Sequence, residues 1–181
     1  MSSEKTYRTF FRGAVFWAVL FAAGVAAGAL FPNAFRRFVD ETMRVGSALV
    51  GSTANSLPLW FAAGIFVKNC IVASVLMLAG RHSRGIFPAA VCFLNGVLVG
   101  TVGCILHRNL GLSPWSFAIA LAPHGSAELP AVFLSAAVGM SPLTVREKAR
   151  LAWLPVAMLA AAAVLETWIS PLVASRVLPT I

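Results

Sequence analysis

An all-helical bundle of membrane-spanning segments is the fold class this sequence predicts, and three observations carry it. Apolar residues make up 59% of the chain and charged residues only 11%, against about 25% charged in soluble domains. The mean hydropathy is +0.86. Apolar runs of about 20 residues, the length a helix needs to cross hydrocarbon, recur along the chain. With 181 residues the chain has room for roughly four to six spans and no separate soluble domain. Residues 1–181 are therefore read as one membrane domain.

The first span is expected over residues 13–31, behind a basic leader with Lys5, Arg8 and Arg12. Ala27-Gly28-Ala29 resembles a signal-peptide cleavage site, but the apolar runs that follow favour a retained signal anchor. Gly24 and Gly28 form a GxxxG pair, a spacing that permits close helix contact. Over residues 34–53, Phe35, Phe38, Val39 and Met43 recur at helical spacing opposite Arg36, Arg37, Asp40, Glu41 and Arg44. That pattern predicts an amphipathic helix lying in the membrane interface. The second span, 59–79, carries Lys68 and Asn69 near its middle. The third, 86–106, has Asn95 near its centre and Gly96, Gly100 and Gly103 along its length.

A fourth segment, 115–140, is interrupted at Pro123-His124-Gly125. Proline removes a backbone donor and disfavours helix at the residue before it, and glycine tolerates the dihedrals of a break. Two half-helices are expected, with Ser126 placed to cap the second. Pro130 fits only if that half-helix begins close before it or kinks. The length suits either one broken span or a hairpin re-entering the same side. The fifth span covers 151–169, with Pro155 in its first turns and Glu166 near its end.

The net charge of +8 comes from Lys and Arg in short clusters beside apolar runs, which points to anionic lipid headgroups and excludes a nucleic-acid tract. With five full spans, Lys5, Arg8, Arg12, Arg81, Arg84, Arg146, Lys148 and Arg150 share one side, and Arg36, Arg37, Arg44, Arg108 and Arg176 the other. The positive-inside rule then places the N-terminus in the cytoplasm of a multi-pass cell-membrane protein. Cys70, Cys92 and Cys104 sit in apolar runs without CxxC spacing and read as small core residues. Trp17, Trp60, Trp115, Trp153 and Trp168 fall mostly near span ends, as interfacial anchors do.

Several landmarks are collinear with one known family. They are Phe61-x3-Ile65-Phe66-x2-Asn69 with Val72-Ala73, Asn95-Gly96, Pro123-His124-Gly125-x2-Glu128-Leu129-Pro130-Ala131, and Glu166 with Ile169 and Pro171. Together they resemble the stage II sporulation protein M family over roughly residues 57–171. One departure is Lys68-Asn69, where the family commonly has two adjacent asparagines. The resemblance implies an all-helical membrane bundle without a soluble catalytic domain. In spore formers the family's namesake belongs to a cell-wall-remodelling engulfment complex, a role that nothing in this sequence transfers.

His124 and Glu128 are four apart, hence on one helical face, and Glu166 is their natural third partner. The leading reading makes Asn69, Asn95, His124, Glu128 and Glu166 a buried polar network in a non-enzymatic scaffold that organises envelope proteins. The alternative is a small transporter or channel with its site at the break formed by Pro123, Gly125 and Pro130, since broken helices aim half-helix ends at ions and solutes. A divalent metal would use His124, Glu128 and Glu166, but one imidazole and HxxxE spacing predict no firm metal site and no cofactor. HExxH, paired intramembrane aspartates and a spaced Ser-His pair are all missing, so no enzyme is expected. Small-residue stripes suggest self-association, with a homodimer as the expected state.

Overall fold

A computed structural model describes residues 3–51 and 58–177, with side chains described over 12–44, 59–123 and 125–177. Every secondary-structure element among these residues is helical. The order is α1 (Ser3–Leu30), α2 (Pro32–Gly51), α3 (Pro58–Ala79), α4 (Ile86–Leu110), α5 (Pro114–Met140), α6 (Val145–Leu151), α7 (Trp153–Val164), a π-helical turn (Leu165–Ile169) and α8 (Ser170–Val177). Among the described residues four stretches are long and apolar enough to cross a membrane: Arg12–Leu30, Leu59–Ala79, Ile86–Leu110 and Trp153–Val177. The arms of α5, Pro114–Pro123 and Gly125–Met140, meet at a bend of 70° and make a fifth if they form one span.

Helix α5 is the centre of the bundle, packing against α1, α3, α7 and α8. Its second arm supplies Val132, Ala136 and Ala137 to a core with Trp17, Leu76 and Cys92, and Ala131 to a second core with Ala73 and Leu159. Phe117 lies beside Gly103 near the end of α4, and Met140 lies beside Gly85, just before α4 starts. So α5 points antiparallel to α4, meeting it near its two ends. The bent segment runs from the end of the bundle where α4 stops to the end where α4 starts.

The glycines along α1 and α4 are explained by one seam. A methyl group on Gly24 or Gly28 would collide with the Phe93 or Val97 carbonyl, and one on Gly96 or Gly100 with the carbonyl of Phe21 or Val25. Two interlocked GxxxG pairs thus bring the backbones together, and Thr101 Oγ1 donates to the Gly28 carbonyl across the seam at 3.3 Å. This small-residue stripe is used within the chain. A dimer would need another surface.

Three details differ from the sequence expectations. Helix α2 runs from Pro32 to Gly51 and packs back on α4 and α1, with Val39 only 4% exposed and Met43 sharing a cavity with Leu98 and Val102 near mid-α4. Its apolar face is only partly covered by protein, Val39 being buried while Met43 stays 55% exposed, and Arg36, Arg37, Asp40, Glu41 and Arg44 are exposed; residues 52 and 53 lie outside the described residues. Trp17 is a core residue, 5% exposed, unlike the exposed Trp60, Trp115, Trp153 and Trp168. Finally, the last apolar stretch passes Ile169 and continues to Val177. A proline ring clashes with the carbonyl four residues back in a regular helix, and the wider π turn just ahead of Pro171 relieves that crowding.

At the end where α3 and α5 finish, α6 is started by a capping box. Thr144 accepts from the Glu147 backbone N–H, and the Glu147 carboxylate accepts from the Thr144 backbone N–H at 2.8 Å. That box fixes the register that turns Lys148 inward. Its Nζ donates to the carbonyls of Met77 at 3.0 Å and Gly139 at 2.9 Å. One buried ammonium therefore satisfies carbonyls in the last turns of two helices, where helix C-termini leave acceptors open and favour cations.

Candidate functional site

The bend in α5 follows from its prolines. Pro123 cannot donate to the Ile119 carbonyl, nor Pro130 to the Ser126 carbonyl, so two acceptors within one helix lose their usual partners. Ser126 does not cap the second arm as expected; its hydroxyl donates back to the Pro123 carbonyl at 3.2 Å. That bond bridges the bend on its first side. The side chain of His124 lies outside the described residues.

Just past the bend, Glu128 lines a cavity of about 90 Å³ together with Lys68, Asn69 and Asn95. The remaining wall is Phe21, Val72, Cys92, Leu129, Val132 and Phe133, so four polar side chains from three helices face one apolar enclosure. Glu128 and Asn95 also border a second cavity of about 210 Å³, which includes Gly125 and is otherwise mostly apolar, with Leu98, Val99, Val102, Phe117 and Leu121. Val99, Phe117 and Leu121 in turn line a third of about 440 Å³ that reaches His107 and Pro114. These two larger spaces are open, mostly apolar grooves between α4 and α5.

Of the network expected from the sequence, Asn69 and Asn95 are not hydrogen-bonded to each other among the described residues, and the His124 side chain lies outside them. Asn95 Nδ2 donates to the Val91 carbonyl of its own helix at 2.8 Å. Asn69 is 4% exposed, and its Nδ2 has no hydrogen-bond partner among the described residues. No ion pair joins Lys68 to Glu128 there, although both line the cavity. A buried donor without an acceptor costs about 1–3 kcal/mol, which marks Asn69 as a group suited to something that enters. Lys68, singled out in the sequence only as an unusual charge, is thereby part of the site.

Glu166 sits on the π turn, which packs against α3 and α5, but it is not among the residues lining the polar cavity. A π turn inside an apolar span often accompanies function. Among the described residues, no three His, Cys, Asp or Glu side chains gather so as to hold a metal ion. Cys92 is buried, and Cys70 and Cys104 are partly so, all as free thiols. His107 Nδ1 donates to the Leu112 carbonyl at 2.9 Å and helps close the turn between α4 and α5.

A bundle of membrane-length helices around a bent central helix, with polar side chains held inside it, defines an all-α polytopic protein. The family model for stage II sporulation protein M matches residues 17–171, and the chain belongs to that family. No curated protein and no solved structure gives a significant match.

Proposed function

We propose that this is a non-enzymatic protein of the cell membrane that passes a small polar species by way of the cavity at the α5 bend. The observation that carries the reading is that Lys68, Asn69, Asn95 and Glu128 line one cavity inside the bundle, where the buried Nδ2 of Asn69 has no hydrogen-bond partner among the described residues. A polar group at bilayer depth is tolerated where it lines a water-accessible space, and broken helices are the usual means of building one. Open, mostly apolar grooves adjoin it on the side toward His107. Toward the Lys148 end, the core of Trp17, Leu76, Cys92, Val132 and Ala136 is packed.

The test is flux in proteoliposomes, with a panel of protons, inorganic ions and small polar solutes. Asn69→Leu is nearly isosteric and removes an unpartnered donor, so folding should persist, while flux of the carried species should fall at least tenfold. Flux no greater than in protein-free liposomes for every species would sink the reading. The second reading, a scaffold for envelope proteins, is favoured by the exposed charged face of α2, where Arg44 and Glu41 pair at 2.9 Å beside Arg36, Arg37 and Asp40. It requires partner capture that survives Asn69→Leu and is lost on reversing those charges.

A further inference from the structure

We propose that the basic end of the bundle holds one anionic phospholipid, with its phosphate on Arg84 and an acyl chain in the groove between α1, α4 and α5. The groove has a volume of about 520 Å³ and is open to the side. Phe16 and Trp17 of α1, Ala89 of α4, and Ala137 and Met140 of α5 form its walls, and Arg84 is the one charged side chain among its described lining residues. The spans put this groove at the membrane boundary. Phe16 and Trp17 belong to Arg12–Leu30 and Ala89 to Ile86–Leu110, so the apolar walls lie within hydrocarbon. Arg84 stands two residues before Ile86, and Arg12 precedes Gly13, which lines the same groove. Carbon below and guanidinium at the rim match the order of groups in a phospholipid. Phe16 stays 58% exposed in the groove wall, which leaves apolar surface for a chain that comes from the bilayer.

Charge selects an anionic headgroup. Arg12, Arg81, Arg84, Arg146, Lys148 and Arg150 gather at this end, and Glu147, the described carboxylate among them, is engaged with Thr144. After burial, the charge of Arg81 is the second cause that disfavours the Lys148 ammonium, so the cations here repel one another. The Arg84 guanidinium has no hydrogen bond or ion pair among the described residues. Its backbone is left-handed, with φ at 52°, a region that favours glycine or asparagine. Glycine would suit the turn better, so the arginine is explained by what its side chain does outside the turn. A guanidinium binds phosphate through two parallel N–H bonds, and basic sites between spans are where acidic headgroups bind. A zwitterionic lipid offers the same phosphate but adds an ammonium that these cations repel.

Native mass spectrometry of the full chain, released from nanodiscs of equal phosphatidylglycerol and phosphatidylcholine, reads the bound lipid. We expect one phosphatidylglycerol per chain, retained about five- to tenfold over phosphatidylcholine, the usual size of one or two guanidinium contacts at a membrane surface. Arg84→Gly should bring the ratio close to that of the bilayer. By relieving the left-handed turn, it should also leave the thermal midpoint in pure phosphatidylcholine equal to or above that of the wild type. Ala89→Leu fills the groove without touching a charge and should lower phosphatidylglycerol retention, and Arg84→Gly keeps the test valid if that variant does not fold. Equal retention of the two lipids by the wild type, or a preference that survives Arg84→Gly, overturns the proposal. So does a lower midpoint for Arg84→Gly in phosphatidylcholine, which would make the arginine a structural part of the turn. Displacement of the lipid by glycerol phosphate at equal concentration would make the headgroup alone the ligand and overturns it too. No readout involves solute flux, so the lipid site stands or falls apart from the conduit.

Discussion

Lys148 holds two helix ends with one side chain, and its removal is the sharpest test at the scale of a residue. Lys148→Met keeps the aliphatic stem and deletes two charge-assisted bonds to the Met77 and Gly139 carbonyls, so stability should fall by about 2–4 kcal/mol, read as a lower midpoint in thermal unfolding. Burial, aided by the charge of Arg81, pulls the Lys148 ammonium below the ordinary lysine value of 10.5. The folded chain then binds this proton less tightly than the unfolded chain, so between the folded value and 10.5 its contribution to stability rises with pH. The wild-type midpoint should therefore gain on that of Lys148→Met as pH climbs through this window. Glu147 has the opposite sign: the Thr144 backbone N–H and hydroxyl lower its carboxyl below 4.5, so the capping contribution is present above 4.5 and fades as pH falls, an acid loss that Thr144→Val should reduce but not remove, because the backbone N–H stays. Asn69, Asn95 and Glu128 were legible as site residues because polar groups stand out in apolar runs. Lys148 was not, since in sequence it is one charge beside Arg146 and Arg150, and only the packing of α3 and α5 over it makes it different.

At the scale of elements, the α1–α4 seam and one glycine outside it form a matched pair of tests. Gly100→Ala places a methyl group against the Val25 carbonyl and should cost about 1–3 kcal/mol by overpacking. Gly64 in α3 has nothing within 4 Å of where its Cβ would be, so Gly64→Ala should raise stability by about 0.5–1 kcal/mol through helix propensity alone. A thermal-shift comparison that found the two substitutions equivalent would mean that α1 and α4 do not meet backbone to backbone. The existence of these helices was readable from apolar runs of span length, and the break in α5 from its prolines. What covers each face was not. The periodicity of α2 marks an apolar stripe equally suited to lipid or to protein, and the neighbouring α4 buries Val39 of that stripe while leaving Met43 exposed. Likewise Pro171 reads as a stop until the π turn before it makes room for the ring.

The arrangement of the whole molecule fixes which charges lie together. Gly13 contacts Ala137, and one cavity joins Gly13 and Trp17 to Arg84, Gly85, Met140 and Pro142. The start of α1, the α3–α4 turn and the end of α5 are thus at one end of the bundle, with Arg12, Arg81, Arg84, Arg146, Lys148 and Arg150. The opposite end has Arg108 and, just past α1, Arg36 and Arg37. If short basic loops stay in the cytoplasm, the first end faces inward, and a five-crossing bundle sends the C-terminus out. Alkaline phosphatase fused after Ser83 should be inactive, and fusions after Leu112 and after Ile181 active. The last fusion is the informative one. The antiparallel course of α5 relative to α4 requires it to be active, whereas a hairpin at Pro123 would return the chain to the outer end before α6, bring the final stretch back inward and leave the enzyme silent. Reversing Arg81, Arg84, Arg146 and Arg150 to Glu should weaken the activity difference between the Ser83 and Leu112 fusions, because orientation would then depend on Lys5, Arg8, Arg12 and Lys148 against a nearly equal outer set.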